Sequence, residues 1–109
     1  MTTTQERVRA LNDDLRREHK NGRILLTPGI VALGSDLIRR INRAVSRFDA
    51  FDPDNDPYGE HDFGSVTVDG HVVFFKIDYY DVDLRHGSPD PSDPHVTGRV
   101  MTVMLAEEY

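Results

Sequence analysis

The pair Asp69-Gly70 constrains the fold of this chain more than any other feature of its sequence. It separates two runs rich in β-branched and aromatic residues, 65–68 and 71–80. Asp-Gly between such runs favours a two-residue hairpin turn, because both residues tolerate positive backbone φ angles. Residues of the second run alternate between the two faces of a strand. We expect one face, toward a core, to carry Val73, Phe75, Ile77 and Tyr79, and the other, partly open, to carry Val72, Phe74, Lys76, Asp78 and Tyr80.

Two amphipathic helices are predicted before the hairpin. Thr3 and Glu6 have the spacing of a capping box, and the apolar residues that follow indicate a helix from about residue 4 to residue 20. Its polar face is predicted to be solvent-exposed, with a nucleic-acid contact as the alternative, and consists of Arg9, Asp13, Arg16, Arg17 and Lys20. A second helix begins near Ser35, and its apolar stripe consists of Leu37, Ile38, Ile41, Ala44, Val45 and Phe48.

The remaining segments complete an α+β pattern. Residues 23–27 predict a short strand or a Thr-capped helical turn, since Pro28-Gly29 follows them. Residues 82–95 contain three prolines and are expected to form a stiff connection, whereas residues 96–105 alternate like a last strand. We therefore predict a single domain, 1–109, with two helices packed on one face of a mainly antiparallel sheet of three to four strands.

Composition excludes several classes of site. The sequence has no cysteine, which rules out disulfides, thiolate metal sites and a cysteine nucleophile. No apolar run approaches the roughly 18 residues of a membrane helix, and the N-terminus lacks a signal-peptide pattern. We therefore expect a cytoplasmic protein without a membrane partner.

Charge is divided unevenly along the chain, whose net charge is -6. Residues 1–47 carry ten bases and five acids, whereas residues 48–94 carry twelve acids and two bases. The segment 49–64, DAFDPDNDPYGEHDFG, holds six acidic residues and no lysine or arginine. Its field attracts a cation or a basic partner, so it is the predicted functional surface.

Metal binding is one interpretation of this segment. Asp52, Asp54 and Asp56 have the spacing that begins a calcium loop, but Pro57 and Phe63 stand where that loop needs glycine and glutamate. A transition-metal site remains a candidate, with ligands drawn from Glu60, His61, Asp62, Asp78 and Asp81. The alternatives are that the Asp, Asn and Pro residues form turns and that a carboxylate orients His61. No cofactor is expected.

Acid-base chemistry is a further alternative. Lys76, Asp78 and Tyr80 share one face of the predicted strand, as the groups of a small catalytic site would. A lysine and an aspartate two residues apart on an open sheet face are more often a surface ion pair of small energetic weight.

Several motifs carry a resemblance to a known family. They are Leu26-Thr-Pro-Gly, Asn55-Asp-Pro-Tyr-Gly-Glu-His-Asp-Phe-Gly64, Lys76-Ile-Asp-Tyr-Tyr-Asp81, Gly87-Ser-Pro-Asp-Pro-Ser-Asp-Pro94 and the terminal Leu-Ala-Glu-Glu-Tyr109. Over nearly the whole chain the sequence resembles short bacterial proteins classed as a domain of unknown function, often borne by plasmids or mobile elements. Some members are similar to anti-CRISPR proteins of type I systems. The resemblance implies no catalytic residues.

Together these observations predict a small acidic inhibitor that binds a nucleic-acid-handling effector complex by mimicking DNA, without contacting nucleic acid directly. The predicted partner-binding residues are Asp49, Asp52, Asp54, Asp56, Glu60, Asp62, Asp90 and Asp93. The main alternative is a metal-dependent hydrolase or nuclease that uses the Glu-His-Asp and Asp-Tyr-Tyr-Asp segments. A third hypothesis makes the arginine face of the second helix a nucleic-acid contact, which the acidic segment covers until a partner arrives.

Overall fold

A computed structural model describes residues 2–109 and shows an α+β fold with three helices and a four-stranded mixed sheet. In chain order the elements are α1 (Thr4–Glu18), β1 (Arg23–Leu26), α2 (Pro28–Val31), α3 (Ser35–Arg47), β2 (Phe63–Val68), β3 (His71–Tyr80), β4 (Gly98–Leu105) and a closing 3-10 turn (Ala106–Glu108).

The sheet has the strand order β1-β4-β3-β2. The pairs β2–β3 and β3–β4 are antiparallel, whereas β1 is parallel to β4, so the predicted antiparallel character holds for the larger part of the sheet. The register places Arg23 opposite Val100 and Phe75 opposite Val103. The last strand, β4, is therefore central in the sheet and lies between β1 and the hairpin.

The hairpin prediction is confirmed. Asp69 and Gly70 have φ angles of 53° and 81°, as the two-residue turn requires. Along β3 three residues of the predicted core face, Val73, Phe75 and Ile77, are buried, and the fourth, Tyr79, is half-buried. Those of the opposite face are partly or fully exposed, and Val72 is the most open of them.

Helix boundaries follow local chemistry. The Thr3 hydroxyl accepts a hydrogen bond from the Glu6 amide at 3.1 Å, which starts α1. The helix ends two residues earlier than predicted, because His19 takes the left-handed conformation with φ 60°. Residues 23–26 form the predicted strand, and β1 runs into the short helix α2 with Pro28 at its first turn. Thr27 precedes α2 but does not cap it, because its hydroxyl donates to Glu108 at 2.6 Å instead. This short third helix was not among the two predicted.

The hydrophobic core joins all three helices to the sheet. Its fully buried side chains are Leu15, Ile30, Ile41, Val45, Val73, Phe75, Met101 and Val103. The apolar stripe predicted on α3 is confirmed, with Ile41 and Val45 buried and its other members packed partly against the core.

The polar face predicted on α1 is partly wrong. Of its members, Arg16 is completely buried and Arg9 and Asp13 are half-buried, whereas Arg17 and Lys20 are exposed as expected. Asn12, outside the predicted polar face, is also completely buried. The two buried residues lie four apart, so α1 buries a polar stripe beside its apolar one.

The connection between β3 and β4 contains turns and one isolated bridge between Tyr80 and Gly87. The aspartates in it accept local hydrogen bonds, Asp81 from the Arg85 amide and Asp93 from the His95 amide. Strand β4 begins at Gly98, two residues later than predicted.

Candidate functional site: an acidic loop above a buried polar network

The loop between α3 and β2, residues 48–62, exposes three carboxylates to solvent and is called the acidic loop below. Asp49, Asp52 and Asp54 are exposed, and none lies within 4.0 Å of a basic side chain in the part of the chain that the structure describes. Their negative field is therefore not neutralised by ion pairs within residues 2–109.

Hydrogen bonds inside the loop hold its shape. The Asp52 Oδ1 atom accepts hydrogen bonds from the Asp54 amide at 2.9 Å and the Asn55 amide at 3.1 Å. The Asn55 side chain donates to the carbonyl of Ala50 at 3.1 Å. Asp and Asn side chains form turns by hydrogen bonds of this kind to the backbone. The same loop therefore forms turns and exposes its carboxylates to solvent.

Asp56 is a structural member of the loop. It is only 7% exposed, and its Oδ1 atom accepts from the amides of Glu60 at 3.0 Å and His61 at 3.1 Å. Asp56 was predicted to bind a partner, but its carboxylate is buried and accepts hydrogen bonds from within the loop.

His61 joins the loop to α1. Its Nδ1 atom lies 2.9 Å from the Asp13 carboxylate, and its ring stacks on Phe51 with centroids 3.9 Å apart. Burial alone raises the pKa of Asp13, but hydrogen bonds from His61 and Arg16 outweigh it and hold that pKa below its usual value. This is the carboxylate-bound role for His61 that the sequence offered as the alternative to metal ligation.

Arg16 lies beneath the same loop. Its Nη1 atom is 2.8 Å from Asp13, and its guanidinium lies 5.0 Å from the Phe51 ring and 5.9 Å from the Phe75 ring. Among residues 2–109 its Nε and Nη2 atoms have no hydrogen-bond partner. Aromatic faces thus stabilise a buried cation for which Asp13 is the one carboxylate partner in this part of the chain.

A second buried chain of hydrogen bonds runs behind Glu60. The Tyr79 hydroxyl donates to the Glu60 carboxylate at 2.9 Å and accepts from the Asn12 side-chain amide at 2.8 Å. Arg99 Nε donates to the Oδ1 atom of Asn12 at 2.7 Å. Arg99 also donates to the carbonyl of Pro91. Burial raises the pKa of Tyr79 and lowers that of Arg99, as expected for ionisable groups withdrawn from water. Glu60 therefore has an internal partner.

The candidate metal ligands are only partly brought together. The pKa of Asp62 is raised, first by burial and then by the neighbouring charges of Glu60, Asp56 and Asp78. Asp78 lies 3.3 Å from Lys76 Nζ, while Asp81 accepts from the Arg85 amide. Among residues 2–109 no group of three His, Asp or Glu side chains is arranged to hold a metal ion.

The other acidic segment adjoins the same helix. Asp90 is exposed and accepts from the Ser92 amide and hydroxyl, and the charge of Arg7 on α1 contributes to lowering its pKa after those hydrogen bonds. Gln5 and Arg9 of α1 donate to the carbonyls of Tyr58 and Gly59. The loop after α3 and the segment near Asp90 therefore both lie beside α1.

Sequence reasoning missed the residues that support the loop, namely Asn12, Asp13, Arg16, Tyr79 and Arg99. The burial of Asn12 and Arg16 could have been predicted from their spacing. They lie on the same helical face as Val8 and Leu15, which are apolar and face the core. Nothing in the sequence pairs Arg99 with a residue 87 positions earlier.

Comparison with known protein families assigns this sequence to a family. A family profile described as "Protein of unknown function (DUF3768)" matches residues 26–108, which hold the acidic loop, the hairpin and the last strand. The chain belongs to this family. No curated protein and no solved structure matches the chain. The predicted membership of a domain-of-unknown-function family is thus confirmed, and the family description assigns no activity.

Nothing in residues 2–109 is suited to crossing a bilayer as a helix, since every helix there is too short or too polar.

Proposed function

We propose that this protein is a small acidic inhibitor that binds a basic, nucleic-acid-contacting surface of an effector complex. The observation that carries the proposal is the unpaired, exposed carboxylate set of Asp49, Asp52 and Asp54 on a loop held by its own hydrogen bonds. Surfaces that grip DNA gain much of their affinity from lysine and arginine contacts to phosphates. A fixed set of carboxylates competes for the same groups.

The internal support of the loop favours this function. Binding is weakened by the entropy lost when a flexible segment becomes ordered. Here the Asx turns, the buried Asp56 and the His61–Asp13 contact hold the loop before any partner arrives. Asp90, beside the same helix, is the second candidate contact because it is exposed, and Asp93 contributes less because it is only half exposed.

We further propose the setting in which the inhibitor acts. It is that of a bacterial protein encoded on a plasmid or other mobile element, acting in the host cytoplasm as an anti-CRISPR protein against a type I effector complex. This setting rests on the resemblance of the sequence motifs, and the acidic loop supplies a mechanism compatible with it.

A gel-shift assay tests the proposal. A purified type I effector complex is incubated with labelled target DNA and increasing amounts of the protein, and the wild type is expected to release the DNA. The variant D49N/D52N/D54N keeps the oxygen acceptors of the turns but removes three charges, so we expect at least about a tenfold loss of potency if each contact contributes about 0.5 kcal/mol or more.

The matched control is D14N/D83N/E107Q, which removes three charges from exposed positions outside the loop. It is expected to inhibit like the wild type. Wild-type protein that leaves the DNA bound, or equal inhibition by all three proteins, would refute this function.

A further inference from the structure

Three arginines on α3 form a basic stripe that the acidic loop does not neutralise. Arg40, Arg43 and Arg47 are exposed, and none has a carboxylate within 4.0 Å among residues 2–109. Their spacing of three and four residues puts them on one side of the helix. Arg39 differs, because it is paired with Asp36.

A groove runs along this stripe. It has a volume of about 370 Å³ and lies between α3 and the end of the β2–β3 hairpin, and its lining consists of Arg40, Arg43, Ala44, Arg47, Thr67, Val68 and Asp69. One wall is thus strongly basic, while the other ends in a single carboxylate at the hairpin turn.

The lining favours phosphate over a protein partner. Protein interfaces depend on buried aromatic or large apolar anchors, and this groove offers only Ala44 and the largely buried Val68. Guanidinium groups bind phosphate oxygens in a bidentate manner. The stripe from Arg40 to Arg47 spans about 10 Å at 1.5 Å per residue, which equals about three phosphate spacings of 3.4 Å along one DNA strand. The three guanidinium groups can therefore reach three phosphates of that strand.

We propose that this groove binds the phosphate backbone of duplex nucleic acid without reading its sequence. The proposal is independent of the inhibitory function, since its ligand is bare nucleic acid. It departs from the leading sequence-based expectation of no direct nucleic-acid contact and develops the third hypothesis, which gave such a contact to these arginines. Asp69 then opposes binding from the far wall of the groove, so the hairpin turn limits affinity.

Fluorescence anisotropy with a labelled 20-base-pair DNA duplex tests the proposal. With three phosphate contacts, the affinity of the full-length protein is expected to fall by about 40-fold between 50 and 200 mM salt, from a slope near -2.7 in log K against log salt. The variant R40Q/R43Q/R47Q is expected to lose at least about tenfold in affinity at 50 mM salt and most of this slope.

Two further variants make the test specific. R17Q/R23Q/R85Q removes three other exposed arginines, which also have no ion pair within residues 2–109, and is expected to bind nearly like the wild type. D69N keeps the turn, because Asn-Gly suits it as well as Asp-Gly, and is expected to bind DNA more tightly.

Several results would overturn the proposal. They are no binding of the duplex at 50 mM salt, an equal loss in the two triple variants, a D69N variant that binds no better than the wild type, or binding of poly-L-glutamate in preference to DNA. Circular dichroism of each variant confirms that it is folded.

Discussion

At the residue scale, Arg16 is the clearest case of a charged group placed in the core for a structural reason. It is completely buried and contacts two aromatic rings, and within residues 2–109 its single ion-pair partner is Asp13. A sequence pattern cannot separate such an arginine from its exposed neighbour Arg17, because both lie on the same polar run. Burial is decided here by Phe51, 35 residues further along the chain.

Replacing Arg16 with alanine is expected to lower the free energy of unfolding by about 3–5 kcal/mol, because it removes a buried partner of Asp13 and leaves a cavity. Arg16→Met fills the space between the rings and is expected to recover part of that loss. Urea unfolding measures both. The control Arg17→Ala is expected to change stability by less than about 0.5 kcal/mol, and an Arg16→Ala variant equally mild would show that the network does not support the fold.

Replacing Asp62 is expected to stabilise the fold, whereas replacing Arg16 is expected to destabilise it. Its pKa in the folded protein is raised by burial and by Glu60, so ionising it disfavours the folded state as pH rises through that pKa. Asp62→Asn is therefore expected to have a higher Tm than the wild type at pH 7. The difference should vanish as the pH falls below about 3.9, the ordinary aspartate value.

Thermal unfolding between pH 3 and pH 8 checks this expectation. Asp83→Asn, at an exposed position, is the control for the removal of one charge. A lower Tm for Asp62→Asn at pH 7 would mean that the carboxylate makes a favourable contact, such as metal ligation, and would revive the metal hypothesis.

At the scale of elements, the hairpin and the helices follow from local signals, whereas their arrangement does not. The Asp69-Gly70 turn, the alternation along β3 and the Thr3 cap each specify structure within a few residues. The parallel pairing of β1 with β4 joins residues almost 80 positions apart, and no local pattern encodes it. The turn residues of the acidic loop were identifiable, but the network beneath it depends on these long-range contacts.

Gly64 in β2 shows how closely α3 and the hairpin approach. A Cβ atom on this residue would lie 2.5 Å from the Phe75 ring and 2.7 Å from the Phe48 ring. Gly64→Ala is expected to destabilise the fold by about 1–3 kcal/mol through overpacking. Gly87→Ala is the control, since its Cβ would meet nothing within 4 Å. Urea unfolding of both variants measures the difference, and equal stability would contradict this packing.

At the scale of the whole molecule, opposite charges occupy separate surfaces of a chain whose net charge is -6. The acidic loop and the α3 stripe adjoin in sequence, yet no ion pair joins Asp49, Asp52 or Asp54 to Arg40, Arg43 or Arg47. The idea that the loop covers the arginines is therefore not what the structure shows. Each surface is available to a partner of the opposite charge. The sequence indicated both charge clusters, but it did not show that they lie apart on the surface.

Whether the acidic loop binds the partner is tested by the salt dependence of binding between this protein and the effector complex, measured by calorimetry from 100 to 400 mM salt. Wild-type affinity is expected to fall steeply with salt, and D49N/D52N/D54N is expected to bind more weakly at 100 mM with a flatter dependence. Equal affinities and equal salt dependence for the two proteins would contradict the claim that the acidic loop binds the partner.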